Sequence, residues 1–209
     1  TKPLQVKAYD SNWQVVASKD FPLNYKKVRE LSYFTDVDAT HWAFDSIMTA
    51  AEEGILNGYL GKFSPNAPIK VQDFNKILAN SYGQNEQIEK YAYPKGVTAF
   101  MKEMNFPYDN VGESNITRTQ VAETIAASQG YNLEGDDAIK YLLVNGLSKG
   151  KDPKNISVAN YDGKATLSRA EAVTFIANIK AVGAAEIAAR PATPSDVTEI
   201  RAQYEEMFN

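Results

Sequence analysis

Cysteine is absent from all 209 residues, and histidine occurs once, as His41. The first absence removes disulfides, thiolate nucleophiles and cysteine metal sites. The second leaves a Ser-His-Asp arrangement one candidate base, and no Gly-x-Ser-x-Gly elbow accompanies it. That histidine directly precedes Trp42 at a helix start, a structural position. No run approaches the ~18–20 apolar residues a membrane helix needs. No basic block offers a footprint for nucleic acid, and the net charge is −4. Phosphate loops and metal clusters are missing too. The stretch DVDATHWAFDSI places Asp36 and Asp38 as a calcium loop would. Its sixth position is His41 rather than Gly and its twelfth is Ile47 rather than Glu, so it fails as one. The expectation is a protein without enzyme activity, cofactor, metal, nucleic-acid partner or membrane insertion.

What is there is a globular mixture, 44% hydrophobic and 23% charged, which excludes a disordered chain. The chain begins at Thr1 without a signal-peptide pattern, as a processed or excised fragment would. Near the start, LQVKAYDSNWQVVA reads as two alternating runs around an Asp-Ser-Asn turn, a β-hairpin. Further on, three segments align without gaps: IKVQDFNKILANS, ITRTQVAETIAAS and LSRAEAVTFIANI. Phe74, Val121 and Ala172 fall in register, as do Leu78, Ile125 and Ile176. In the last copy Ala172, Phe175, Ile176 and Ile179 mark one face of an amphipathic helix. Gly54 with Gly58, and Gly146 with Gly150, stop a preceding helix at equal spacing, and Asn105 takes the left-handed stop in the middle copy. The helix is followed by a loop and then a second, capped helix. After Gly183, RPATP breaks helical structure. SDVTEIRAQYEEMF then places Val197, Ile200, Tyr204 and Met207 on one helical face, for docking on the body or on a partner.

Thr117 with Gln120, and Ser168 with Glu171, each spell a capping box. The box leaves Arg118 and Arg169 unexplained, because a cation in the first turn opposes the helix dipole by roughly 0.3–1 kcal/mol. Two readings stand. Either the arginines lie outward or pair with a neighbouring unit's carboxylate, or each shares an anion with the free helix N–H groups.

Residues 33–78 resemble the S-layer homology (SLH) repeat. The resemblance rests on Phe34-x-Asp36-Val37, His41-Trp42-Ala43, Ile47, the Gly58-Tyr59-x-x-x-Phe63-x-Pro65 loop and the helix-opening slot. Ser168-Arg169-Ala170-Glu171 is nearly the family's arginine turn, and Ile116-Thr117-Arg118-Thr119-Gln120 marks the middle unit. The resemblance implies a mainly α fold: a pseudo-threefold helical bundle of three SLH-like helix-loop-helix repeats, with a small N-terminal β-hairpin and a short C-terminal helix. It divides the chain into 1–30, repeats at 31–83, 84–131 and 132–183, and a linker with helix at 184–209. It also implies grooves between repeats that bind an anionic, pyruvylated-type secondary cell-wall polysaccharide. Carried over, Arg118 and Arg169 meet the anion, Trp42 and Asp36 form a groove wall, and Gly58 permits close backbone approach. The first slot departs from the pattern: Val71 replaces the arginine and Lys70 the capping hydroxyl, so that Lys70 supplies only a point charge. Gly163, in Asp162-Gly163-Lys164, either lines the third pocket or turns the chain. One or two working sites are expected.

The expected role is therefore a non-catalytic wall anchor at the extracellular surface of a Gram-positive-type bacterium. The alternatives are an SLH-derived structural subunit of a surface layer or filament, acting by self-association or on a surface-layer protein, and a binding module attached to a wall-cleaving enzyme outside these residues.

Overall fold

The alternation at the start folds as read. In the computed structural model, which describes residues 4–11, 14–21, 32–109, 113–182 and 186–208, strand β1 (Leu4–Tyr9) pairs antiparallel with β2 (Val15–Phe21). Leu4 lies opposite Phe21, and a bulge falls between Ala8 and Tyr9. The turn is closed by the Asp10 N–H on the Gln14 carbonyl and the Gln14 N–H on the Asp10 carboxylate, both 2.9 Å. This hairpin belongs to a unit of residues 1–31, and a second unit begins at Ser32.

The second unit is helical. Its elements are α1 (Phe44–Glu52), α2 (Val71–Ser81), α3 (Asn85–Ile88), α4 (Lys95–Glu103), α5 (Arg118–Ser128), α6 (Gly135–Val144), α7 (Val158–Tyr161), α8 (Arg169–Ala181) and α9 (Thr198–Phe208). The stops after α1, α4 and α6 are Gly54, Asn105 and Gly146, all left-handed, with φ of +68°, +55° and +67°. Asn105 therefore does take the turn that glycine takes in the other two. The apolar stripes of α2, α5 and α8 converge, and Phe74, Leu78, Ile125 and Ile176 lie in one buried core with Ile47 and Leu142.

Just before each of these three helices the chain is extended, and the extended pieces bond head to tail. The Ile69 N–H donates to the Leu167 carbonyl (2.9 Å), Leu167 to Ile116 (3.1 Å), and Ile116 back to Ile69 (3.0 Å). All three side chains are buried, so the ring satisfies backbone groups that water cannot reach. One residue beyond each N-cap the pattern repeats. The N–H of Val71 donates to Ser114, that of Arg118 to Ala165 and that of Arg169 to Ala67 (2.8–2.9 Å).

Helix α9 docks on α6. Ile200 and Tyr204 are buried, the Tyr204 hydroxyl accepts from the Val158 N–H (3.0 Å), and Arg201 forks onto Asp137 at 2.8 and 2.7 Å. Met207, expected on the same face, is 56% exposed: the buried stripe continues from Tyr204 to Phe208, four residues on, and leaves Met207 on the open side.

Candidate functional site

Both capping boxes form. The Thr117 hydroxyl accepts from the Gln120 N–H (3.3 Å) while the Gln120 side chain accepts from the Thr117 N–H (2.9 Å). Ser168 and Glu171 exchange the same pair at 3.2 and 2.8 Å. The two preceding amides of each helix are also occupied. Arg118 and Thr119 donate to the carbonyls of Ala165 and Gly163 (2.8 and 2.9 Å), and Arg169 and Ala170 to those of Ala67 and Pro65 (2.9 and 3.0 Å). The idea that an anion shares the free helix N–H groups is thereby corrected: chain carbonyls already use them. What remains for a ligand is the guanidinium groups themselves.

Those two groups differ. Arg118 is 4% exposed. Its Nε donates to the Tyr161 carbonyl (2.8 Å), its Nη1 to Glu171 Oε1 (3.0 Å), and it lies over the rings of Tyr161 and Phe175. Glu171 thus serves its own capping box with one oxygen and the neighbouring helix's arginine with the other. Arg169 is half-buried over the Phe63 ring, with its Nε on the Phe63 carbonyl (2.8 Å), and no described carboxylate pairs with it. On α2 the third position, which Glu171 holds on α8, is Asp73. Its side chain is one methylene shorter, and its Oδ1 accepts the Tyr93 hydroxyl.

Each arginine borders a cleft. The first, about 650 Å³, has Arg118 and Glu171 at its floor and the exposed indole of Trp42 on one wall. The loop after Gly146 brings Ser148, Lys149 and Lys151, and α8 contributes Thr174, Phe175 and Asn178. Lys151 is paired with Asp162. Trp42 is stacked on His41, whose Nδ1 accepts the Ala43 N–H (3.2 Å), the structural role expected of that histidine. The second cleft, about 150 Å³, is built from the same kinds of element: Arg169, the loop after Gly54 with Asn57, and Asp73, Lys76, Ile77 and Asn80 of α2. Asn80 Nδ2 donates to the Ile55 carbonyl (3.0 Å), while its buried Oδ1 has no hydrogen-bond partner. Glu89 supplies a further acid.

The other expected site residues sit elsewhere. Asp36 accepts the N–H groups of Phe63 and Ser64, both at 2.8 Å. Desolvation raises its carboxyl, but these bonds outweigh it and leave it below the usual range. Gly58 gives room to Phe34, whose ring would lie 2.4 Å from an added Cβ. Gly163 approaches the start of α5, where a Cβ would lie 2.2 Å from Thr119 Oγ1. Lys70 pairs in solvent with Glu113 (2.7 Å) and gives α2 no side-chain cap. None of these four lines either cleft. Conversely, Lys76, Asn80, Lys149, Thr174 and Asn178 line the clefts and were not among the expected residues. The signal existed: Asp73-Lys76-Asn80 and Glu171-Thr174-Asn178 run down equivalent helical stripes beside the apolar ones.

Among known proteins, residues 33–70 match the family model of the S-layer homology domain. Domains of that family are non-catalytic modules that anchor proteins at the cell surface by binding secondary cell-wall polymers. No curated protein matches the chain.

Proposed function

We propose, taking the S-layer homology domain at residues 33–70 as premise, that residues 32–182 form three such units in a pseudo-threefold bundle. In this reading they anchor a larger protein to the wall by holding an acidic saccharide of its polymer. The observation that carries the reading is the repeated cleft, in which corresponding positions of α2 and α8, corresponding loops and a guanidinium meet twice in one chain. The ring of Ile69, Ile116 and Leu167 supports the threefold arrangement. Arg118, Lys149 and Arg169 attract the negative group, and Trp42 offers a flat apolar face to a sugar ring. Two weak sites on one chain raise effective affinity without either being tight. Retention on purified wall sacculi tests the reading: strong binding is expected, and it should disappear when the acid-labile polymer has been stripped. Equal retention on both preparations overturns it.

A second reading, a structural subunit acting through protein contacts, is favoured by the loop tip at Tyr59 and Leu60, whose side chains are 79% and 84% exposed. Light scattering over a concentration series separates the two, because an anchor of this kind stays monomeric.

A further inference from the structure

Residues 186–197 carry no regular structure, yet they are tied at both sides of one gap, between loop 105–109 and the end of α5. The Ala188 N–H donates to the Ser128 carbonyl (2.9 Å) and the Arg190 N–H to the Met104 carbonyl (3.0 Å). Arg190 Nε donates to the Asn105 carbonyl (2.6 Å), and Asn105 Nδ2 returns a bond to the Arg190 carbonyl (2.9 Å). Asn132 holds the far end, donating to the Pro191 carbonyl (3.0 Å) and to Ser195 Oγ (2.9 Å).

That gap has a definite place in the fold. The first cleft adjoins Arg118 and the loop after Gly146; the second adjoins Arg169 and the loop after Gly54. Residues 186–197 cross at the third left-handed stop, Asn105, the position that belongs with Val71, whose N–H is taken by the Ser114 carbonyl. Glu123 stands on α5 where Thr174 stands on α8 and Lys76 on α2. Its carboxylate, 6% exposed, is held by the Tyr108 hydroxyl and the Gly135 N–H (2.7 Å). The position whose slot lacks an arginine is therefore the position the chain closes with its own groups.

We propose that residues 186–208 are a cover over this third groove, clamped by α9 and able to open while the rest of the second unit stays folded. The proposal rests on reading the three positions as equivalent. The clamp is small. Among the described residues of the segment only Ile200 and Tyr204 are buried, Ile187, Val197 and Phe208 are half-buried against the core, and the ion pair of Arg201 with Asp137 is accessible to water. Segments with few buried apolar contacts open locally at a fraction of the global free energy, whereas the fully buried ring residues exchange their amides only on unfolding.

Amide hydrogen exchange on the full chain tests this. The amides of Ala188, Arg190 and Ser195 should exchange as one group, roughly 100-fold or more faster than those of Ile116 and Leu167. Tyr204→Ala should speed that group at least about tenfold and leave the ring amides unchanged. Arg201→Ala should shift it the same way by less, and it replaces Tyr204→Ala should that variant not fold. Cover amides that exchange at the ring's rate, that ignore these variants, or that accelerate only together with the ring overturn the proposal. The measurement contains no saccharide, so failure of the wall-binding reading leaves this result interpretable on its own.

Discussion

Around Arg118 the chain supplies a carboxylate, a carbonyl and two aromatic rings; around Arg169 it supplies a carbonyl and one ring. The two residues open helices with nearly the same spelling, and the difference arises on another helix, in the acid each could reach. Glu171 is long enough to serve its own N-cap and Arg118 together. Asp73 is shorter and is engaged by Tyr93, with Lys76 also over the Tyr93 ring. One arginine is consequently part of the framework as well as the wall of a large cleft, and the other leaves its guanidinium edge to a small one. A shared motif fixes where a side chain starts; its partners, contributed by distant parts of the chain, fix what it does.

The contrast can be broken by mutation. Arg118→Ala empties a buried site and removes the guanidinium partner of Glu171, which is itself 35% exposed, and should destabilise the protein by about 3 kcal/mol. Arg169→Ala should cost about 1 kcal/mol or less, since only a carbonyl bond and a ring contact disappear. Chemical denaturation of the two variants checks both values, and equal losses would erase the distinction. Trp42→Ala should leave the midpoint unchanged and weaken retention on wall sacculi about tenfold, or about 1.4 kcal/mol, if the large cleft carries the sugar. The same loss from Arg169→Ala alone would move the principal site to the small cleft.

Capping sharpens the comparison further. Ser168→Ala should lower stability by about 1 kcal/mol, as should Thr117→Ala. Lys70→Thr should raise it by about 0.5 kcal/mol, by giving α2 the box-opening hydroxyl that its sister helices have. Thermal melts of the three variants read this out. The smallest effect concerns pH. The Arg201 hydrogen bonds hold the Asp137 carboxyl below its ordinary 3.8 despite partial desolvation. A depressed carboxyl contributes its stability in full above the unfolded value and loses it as pH falls through the folded one. The α9 clamp should therefore weaken only below about pH 4, visible as faster exchange of the Arg190 amide; weakening between pH 6 and 8 would contradict the assignment.

What the sequence showed was what short range determines. The capping boxes are three-residue events, and the left-handed stops at Gly54, Asn105 and Gly146 depend on one residue each. The helical stripes at Phe74, Ile125 and Ile176 follow from periodicity. Partners far along the chain could not be read in the same way. Glu171 lies 53 positions from Arg118, and Phe63 lies 106 from Arg169. Nothing local reveals that the amides opening α5 and α8 are consumed by carbonyls far along the chain, those of Ala165 and Gly163 and of Ala67 and Pro65, so an anion at the helix ends was a plausible expectation. Asp36 was expected in a groove wall and Gly58 at a close backbone approach because the resemblance to the S-layer homology repeat implied those roles around the loop at 58–65. The geometry spends them on making that loop rigid, one by bonding the Phe63 and Ser64 amides and the other by admitting the Phe34 ring.

The three backbone bonds joining Ile69, Leu167 and Ile116 form a closed cycle, and a cycle has no first link that is complete by itself. Any two of the extended pieces brought together still leave one donor and one acceptor that only the third piece pairs within the protein. Assembly of the centre is therefore all-or-none. A fragment cut to residues 33–78 would keep its motif residues and yet lack both Leu167 and Ile116, the bonding partners that Ile69 has in the folded chain.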